Sequence, residues 1–415
     1  MPGGDVAYNI PLPVVIEGCL DIDALERAFA ALVARHEALR TAFVSIDGEP
    51  RQRILPWVDV SIRRVDLREF DDGDARARAL AEADAHTRFD LSQPPLVRLT
   101  VATLGGRVER HLVVLTMHHI VGDGWSQTVL VREIDALYHA FRDDRPNPLP
   151  SLRIQYKDFA EWQRRRDFAD EEAWWLTRLA GAPDRIALPY DFAPSEDRAF
   201  LGATVDTVLD AATTQGLRAV AASRGVTLAH TVLAVFQLVL YRLTGQQDLC
   251  VGMSVAGRTD RDLERLVGFF VNILPVRTRF REETSLDALI ADVSQSATDA
   301  FDHQDCPFDL LVRRIQPQRV AARQPLVNVV FAFQNFADVR VDDGVGGLPD
   351  AEAREARAFD FSFGTSKFDM TLFVEDQGHA LRLVLEYDTG LFLPATARKH
   401  LDAMARFAAL AAKRL

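Results

Sequence analysis

Apolar positions along this chain fall into two recurring spacings, one of about two residues and one of three to four. Tyr8–Gly18 reads as a strand of mixed polarity. Asp21 or Asp23 then stands where it can cap a helix in which Leu25, Phe29, Leu32 and His36 recur at helical spacing. Arg35–Phe43 ends that helix and leads into a strand. Asp74–Thr87 is a charged, alanine-rich helix. Leu96–Thr103 and His111–Thr116 read as paired strands around the turn Gly105-Gly106. A second amphipathic helix starts near Ser126, with Val129, Leu130, Ile134, Leu137, Tyr138 and Phe141 on one face. Glu172–Leu179, with Trp174 and Trp175, closes the first half.

Residues 181–202 hold three prolines and several charges, which suits a connection between two lobes, 1–180 and 203–415. In the second half, Leu217–Leu243 predicts one or two apolar helices. Leu249–Val255, Ile273–Phe280 and the almost wholly apolar Val327–Phe333 predict strands, and Leu286–His303 a helix. Residues 337–360 read as irregular. Lys367–Glu375 and Ala380–Tyr387 alternate like a hairpin, and Ala395–Leu415 is a closing helix. Strands and helices mix without regular alternation, so the expected class is α+β rather than a doubly wound sheet.

Composition narrows the function classes. A chain of 415 residues that is 48% hydrophobic has substantial cores, and no apolar run is long enough to span a membrane. A net charge of −12 disfavours nonspecific binding to nucleic acid or anionic membranes. Cys19, Cys250 and Cys306 are scattered and odd in number, as expected of reduced thiols in a cytoplasmic protein. No base is paired with Cys306 in the sequence, so a nucleophilic role is not assigned to it.

Candidate chemistry concentrates in Met117-His118-His119-Ile120-Val121-Gly122-Asp123-Gly124-Trp125-Ser126. A strand ending in a loop that opens a helix holds a reactive side chain on a rigid mount. Histidine is the side chain that most readily exchanges a proton near neutral pH. Two plainer readings compete: a metal site, for which further ligands, a CxxC or an HExxH are absent, and a structural loop with satisfied histidines. Adjacent side chains on an extended segment point to opposite faces, so His118 and His119 cannot meet the same substrate atom. His119 is taken as the catalytic group, and His118 as a loop-shaping residue bonded to local backbone. Asp123 either orients His119, as in a Ser-His-Asp triad, or holds the loop by pairing with an arginine.

The loop matches HHxxxDG and resembles the active-site motif of nonribosomal peptide synthetase condensation domains. Further blocks agree in order. Arg35-His36-Glu37-Ala38-Leu39-Arg40-Thr41 is similar to RHExLRT, and Tyr156-Lys157-Asp158-Phe159-Ala160-Glu161-Trp162 to YxDFAxW. Val267-Gly268-Phe269-Phe270-Val271-Asn272 with Arg277 resembles GFFVNTxxxR, His303–Asp309 resembles HQDxPFE, and Arg323-Gln324-Pro325-Leu326 approximates RxPL. The family's opening block, like SxAQxRLW, is not found, and Ile273 stands where threonine is usual. Adenylation and carrier motifs are also absent, as for one domain of a larger synthetase.

The resemblance implies two chloramphenicol-acetyltransferase-like lobes arranged as a V, with the histidine loop at their interface and segments near 265–275 and within 335–370 crossing back to the first lobe. It implies amide bond formation between a donor acyl thioester and the amine of an acceptor aminoacyl thioester. Both are carried on phosphopantetheine arms of carrier proteins, with adjacent synthetase domains such as an adenylation domain as neighbours. The domain is expected to be a monomer with no metal or cofactor of its own. For Asp123 the resemblance favours the arginine pair, with Arg35 the first partner and Arg277 the second. Gly124 is expected to let the backbone approach the thioester arm or to take a special φ, against the simpler turn glycine. Trp125, Ser126, Asn272 and Gln334 are candidate substrate contacts; Trp125 is otherwise core, Ser126 a helix cap, and the two amides satisfied core groups. Blocks such as Val129–Glu133 and Ile154-Gln155-Tyr156 look most like domains joining two L-configured residues. The alternatives are a D-donor or epimerisation domain and a silent platform recruiting carriers or tailoring enzymes. Asp360–Gly364 is only faintly similar to the DFGWG block of coenzyme A-dependent acyltransferases.

Overall fold

The computed structural model describes residues 4–195, 198–315, 326–334, 356–358 and 364–413. The expected RxPL stretch at Arg323–Pro325 and most of 335–370 lie outside the described residues.

Two sheets organise the molecule. The first has the order Ala356–Ala358, Asn9–Glu17, Arg110–His118, Val97–Leu104, Ile62–Leu67, with only the last pair parallel. The second runs Gly202–Leu209, Leu381–Asp388, Met370–Asp376, Val329–Gln334, Asp248–Val255, Asn272–Arg279. Its two middle pairings, on either side of Val329–Gln334, are parallel, which suits that strand's nearly unbroken apolar sequence. A separate hairpin joins Thr41–Ile46 to Glu49–Ile54. This is an α+β fold of two chloramphenicol-acetyltransferase-like lobes.

In the first lobe, the Asp21 carboxylate accepts from Ala24 N at 2.9 Å and so caps the helix Ile22–Arg35. That helix buries Leu25, Phe29 and Leu32 against the helix Gly124–Arg142, which contributes Leu130, Leu137 and Tyr138 to the same core. The first lobe's sheet is not self-contained. Its outer strand, Ala356–Ala358, comes from the second half of the sequence and pairs Val14 with Ala358 through Ile16 with Ala356.

Leu217–Leu243 resolves into two helices, Ala211–Ser223 and Leu228–Thr244, bent by 107°. Both pack into the second core. No single described helix is long and apolar enough to cross a membrane. One boundary needs correction. The helix Ala169–Leu179, expected to close the first half, packs with the second: Phe168, Trp175 and Leu179 join its core, and Trp175 Nε1 donates to His303 O at 3.2 Å. Trp174 also stacks on the His303 ring, centroids 3.9 Å apart, so the chain changes lobes before residue 168 rather than after 180.

Candidate active site

The strand Arg110–His118 delivers the histidines. Its register opposes Asn9 to His118, and His119 N donates to Tyr8 O at 2.7 Å, so the first strand clamps the point where the chain turns. His119–Val121 then form a single tight turn before the helix. His118 is buried, between the rings of Tyr8 and Phe89 at 6.3 and 6.2 Å. Its Nδ1 accepts from Ile120 N at 3.1 Å. That bond ties the imidazole to the turn that His118 precedes.

His119 points the other way. Its Nδ1 lies 2.9 Å from Gly122 O, and a carbonyl only accepts, so Nδ1 carries the proton and Nε2 presents its lone pair. The ring stays partly accessible, yet burial pulls its pKa down from 6.5 to about 4. The Lys367 ammonium pushes in the same direction, and Asp123 and the local carbonyl only partly oppose it. At neutral pH His119 is an uncharged hydrogen-bond acceptor. The Phe269 ring meets it edge-on, centroids 5.0 Å apart at 86°.

Asp123 does not touch His119. One of its oxygens accepts from Ser126 N and Ser126 Oγ, both at 2.8 Å, and from Arg258 Nη2 at 3.2 Å. The other accepts from Phe270 N and Val271 N at 3.0 and 3.2 Å. Five donors saturate the carboxylate, so the triad reading fails and the locking reading stands. The lock joins the lobes, because Arg258 follows the strand Asp248–Val255 and residues 268–271 precede Asn272–Arg279. Ser126 adds to it: its Oγ, with its one proton on Asp123, accepts from Gly268 N at 3.2 Å. Asp123, not Ser126, is the N-cap, and Gly124 is the exposed first residue of the helix.

The arginine partner expected for Asp123 is corrected. Arg35 instead pairs with Glu133 through Nε at 3.0 and 3.1 Å and with Pro150 O at 2.6 Å, while His36 Nε2 meets the same Glu133 at 2.7 Å. Glu133 lies ten residues along the helix from Asp123, about 15 Å away. Arg277 makes a bidentate pair with Asp248 at 2.9 and 2.7 Å on the neighbouring strand, and caps Ala180 O and Gly181 O. Arg258 was not singled out in the sequence. Its side chain is 1% exposed. It donates to Leu263 O, to Leu266 O at 2.9 Å and to Ser126 Oγ at 3.0 Å, and lies over the Phe270 ring at 4.1 Å. A lone arginine after Gly257 carries no sequence signal of that role.

The remaining candidates are placed as follows. Trp125 Nε1 donates to Glu264 O at 2.9 Å, another contact between the lobes. Asn272 spends its amide on structure: Nδ2 donates to Gln304 O and Cys306 O, each at 2.8 Å, and Oδ1 accepts from Phe308 N at 3.0 Å. This corrects its reading as a substrate contact and explains the His303–Asp309 block, whose turn it fastens. Gln334 ends the strand Val329–Gln334 opposite Glu375 and joins none of these bonds. Burial raises the Cys306 thiol to about 12, far from thiolate reactivity. No cluster of three His, Cys, Asp or Glu side chains suited to a metal ion occurs among the described residues.

Comparison with known proteins gives the family. A family model described as the condensation domain matches residues 1–414. Malpinin synthetase of Mortierella alpina is 36% identical over 397 residues, 95% of this chain and 5% of that protein. The chain spans only 5% to 15% of the length of the curated relatives it matches. Among solved structures, the first condensation domain of the calcium-dependent antibiotic synthetase, in complex with a substrate analogue, superposes with a TM-score of 0.78 at 24% identity, covering 99% of this chain and 92% of that one. The X-domain in its complex with OxyB from teicoplanin biosynthesis gives 0.85 at 24% identity, covering 98% and 89%. Matched by the family model from end to end, the chain belongs to the condensation-domain family.

Proposed function

We propose that this domain forms an amide bond between two carrier-bound substrates, an L-configured donor and an L-configured acceptor. The observation that carries the reading is a neutral imidazole with its Nε2 lone pair free, on a loop locked from both lobes. The α-amine of the acceptor aminoacyl thioester attacks the donor thioester carbonyl. The new C–N bond forms, the C–S bond breaks, and the amine proton ends on the departing thiolate. His119 Nε2 accepts an N–H of the amine and aims its lone pair at the carbonyl. A ring with a pKa of about 4 is a weak base, so its contribution is positioning more than proton storage.

In this proposal the thioesters arrive on phosphopantetheine arms of donor and acceptor carrier proteins, and the domain works as a monomer beside neighbours such as an adenylation domain, in the cytoplasm. The arms belong to the substrates, and the domain supplies no prosthetic group. The recruitment reading draws on the likeness to the X-domain, which is found in complex with OxyB. It predicts carrier or enzyme binding without transfer.

The test is a two-carrier assay read by intact-protein mass spectrometry, with L- and D-aminoacyl donors and wild type beside His119→Ala. The proposal expects the donor mass to move to the acceptor carrier from the L-donor, with loss in the variant. Carrier binding without transfer from either donor would favour recruitment, and transfer only from the D-donor would correct the stereochemical assignment.

A further inference from the structure

The backbone around Phe269 is held on every side. Gly268 N donates to Ser126 Oγ, Phe270 N and Val271 N donate to Asp123, and the carbonyl of Phe269 accepts from Tyr156 Oη at 2.9 Å. Gly268 itself allows no Cβ, which would stand 2.1 Å from the Tyr156 ring. Its neighbour Phe270 is 5% exposed, under Arg258 and against Tyr156 and Phe159. Phe269, at the centre of this fixed segment, is nevertheless 42% exposed, and its ring packs against His119. An apolar ring left open in a locked segment, against the catalytic imidazole, is a wall of the reaction space rather than part of a core.

We propose that Phe269 is a specificity-determining residue that limits the size of the acceptor's side chain and favours apolar ones. The inference rests on the function proposed above. An amine hydrogen-bonded to Nε2 sits about 3 Å from it, and its α-carbon is about 1.5 Å further on. The side chain on that carbon therefore begins within contact range of a ring whose centroid is 5.0 Å from the imidazole's. The opposite substrate presents a carbonyl to the amine, and its own side chain starts one atom further out. The acceptor therefore feels Phe269 first.

The experiment uses the same two-carrier assay with a fixed L-alanyl donor and glycyl, L-alanyl, L-leucyl, L-phenylalanyl and L-aspartyl acceptors. Wild type is run beside Phe269→Ala, Phe269→Leu and Phe269→Trp, with thermal midpoints for each. The expected result is a phenylalanyl-to-alanyl rate ratio that rises about tenfold in Phe269→Ala and falls in Phe269→Trp. Phe269→Leu lies between them, and carries the test if Phe269→Ala does not fold. Equal ratios in all folded variants, a uniform loss for every acceptor, or a shift that follows a varied donor instead would each overturn the inference. Wild type that transfers to none of the acceptors would refute the functional reading itself, and this one with it, before any variant is compared.

Discussion

Replacing Asp123 by alanine removes one carboxylate and strands four groups. Arg258 keeps its charge at 1% side-chain exposure, and the N–H groups of Ser126, Phe270 and Val271 lose their acceptor. Leaving one member of a buried ion pair unpaired costs about 3–5 kcal/mol. The freed amides at 270 and 271 are beside the lobe boundary and regain water once the crossing segment lifts, so the upper end of that range is not exceeded by much. Unfolding entropy of about 2 cal/mol/K per residue over 415 residues makes the loss equivalent to a fall in Tm of about 3–6 °C if both lobes melt together. Urea denaturation with and without Arg258→Met isolates the charge. The double variant removes the orphan cation and recovers part of the loss, giving a coupling energy in the range of about 0.5–3 kcal/mol for contacting residues. Equal midpoints for Asp123→Ala and the parent, or strictly additive losses, would refute the lock. Hydrogen exchange across 267–272 reads the same event locally and is expected to accelerate.

Other consequences follow from the same geometry. Gly268→Ala drives a Cβ into the Tyr156 ring at 2.1 Å, so it costs about 1–3 kcal/mol and lowers transfer; an unaltered urea midpoint would contradict the packing. Lys367→Met removes one of two causes that depress His119, so the imidazole pKa rises from about 4 toward 6.5 in an NMR titration; no movement would show that Lys367 does not act on the ring. Because the folded ring resists protonation down to about 4 while the unfolded one protonates near 6.5, unfolding takes up a proton between those values. Stability is therefore full above pH 6.5 and falls as pH drops toward 4; denaturation across this window loses that part of its slope in His119→Ala. Arg35→Met, by contrast, leaves Glu133 with His36 and the Asp123 lock intact, so exchange at 267–272 stays at the parental rate.

What the sequence made legible was mostly local. The Asp21 cap, the face of Leu25, Phe29 and Leu32, and the strand carrying His118 and His119 follow from short-range spacing, and the structure places them so. Four strands went unread: Glu49–Ile54, Ile62–Leu67, Gly202–Leu209 and Ala356–Ala358. All four are sheet edges, where polar residues such as Arg51, Arg53, Arg63, Arg64, Asp66, Thr204 and Asp206 blur the apolar period. That Asp123 needs a cation was legible from its motif, but which of many arginines supplies it was not, since Arg258 is 135 residues away in the chain. Phe269 and Lys367 were invisible as site residues for the same reason. Each reaches His119 only after the second lobe folds back against the first.

The most direct test of the central claim is the single-turnover rate of donor transfer at neutral pH, wild type against His119→Ala, with both carriers loaded and saturating. Transfer by the wild type is expected, with a loss of about 10²-fold or more in the variant and its midpoint for unfolding retained. A variant that transfers at the wild-type rate would contradict a catalytic role for His119.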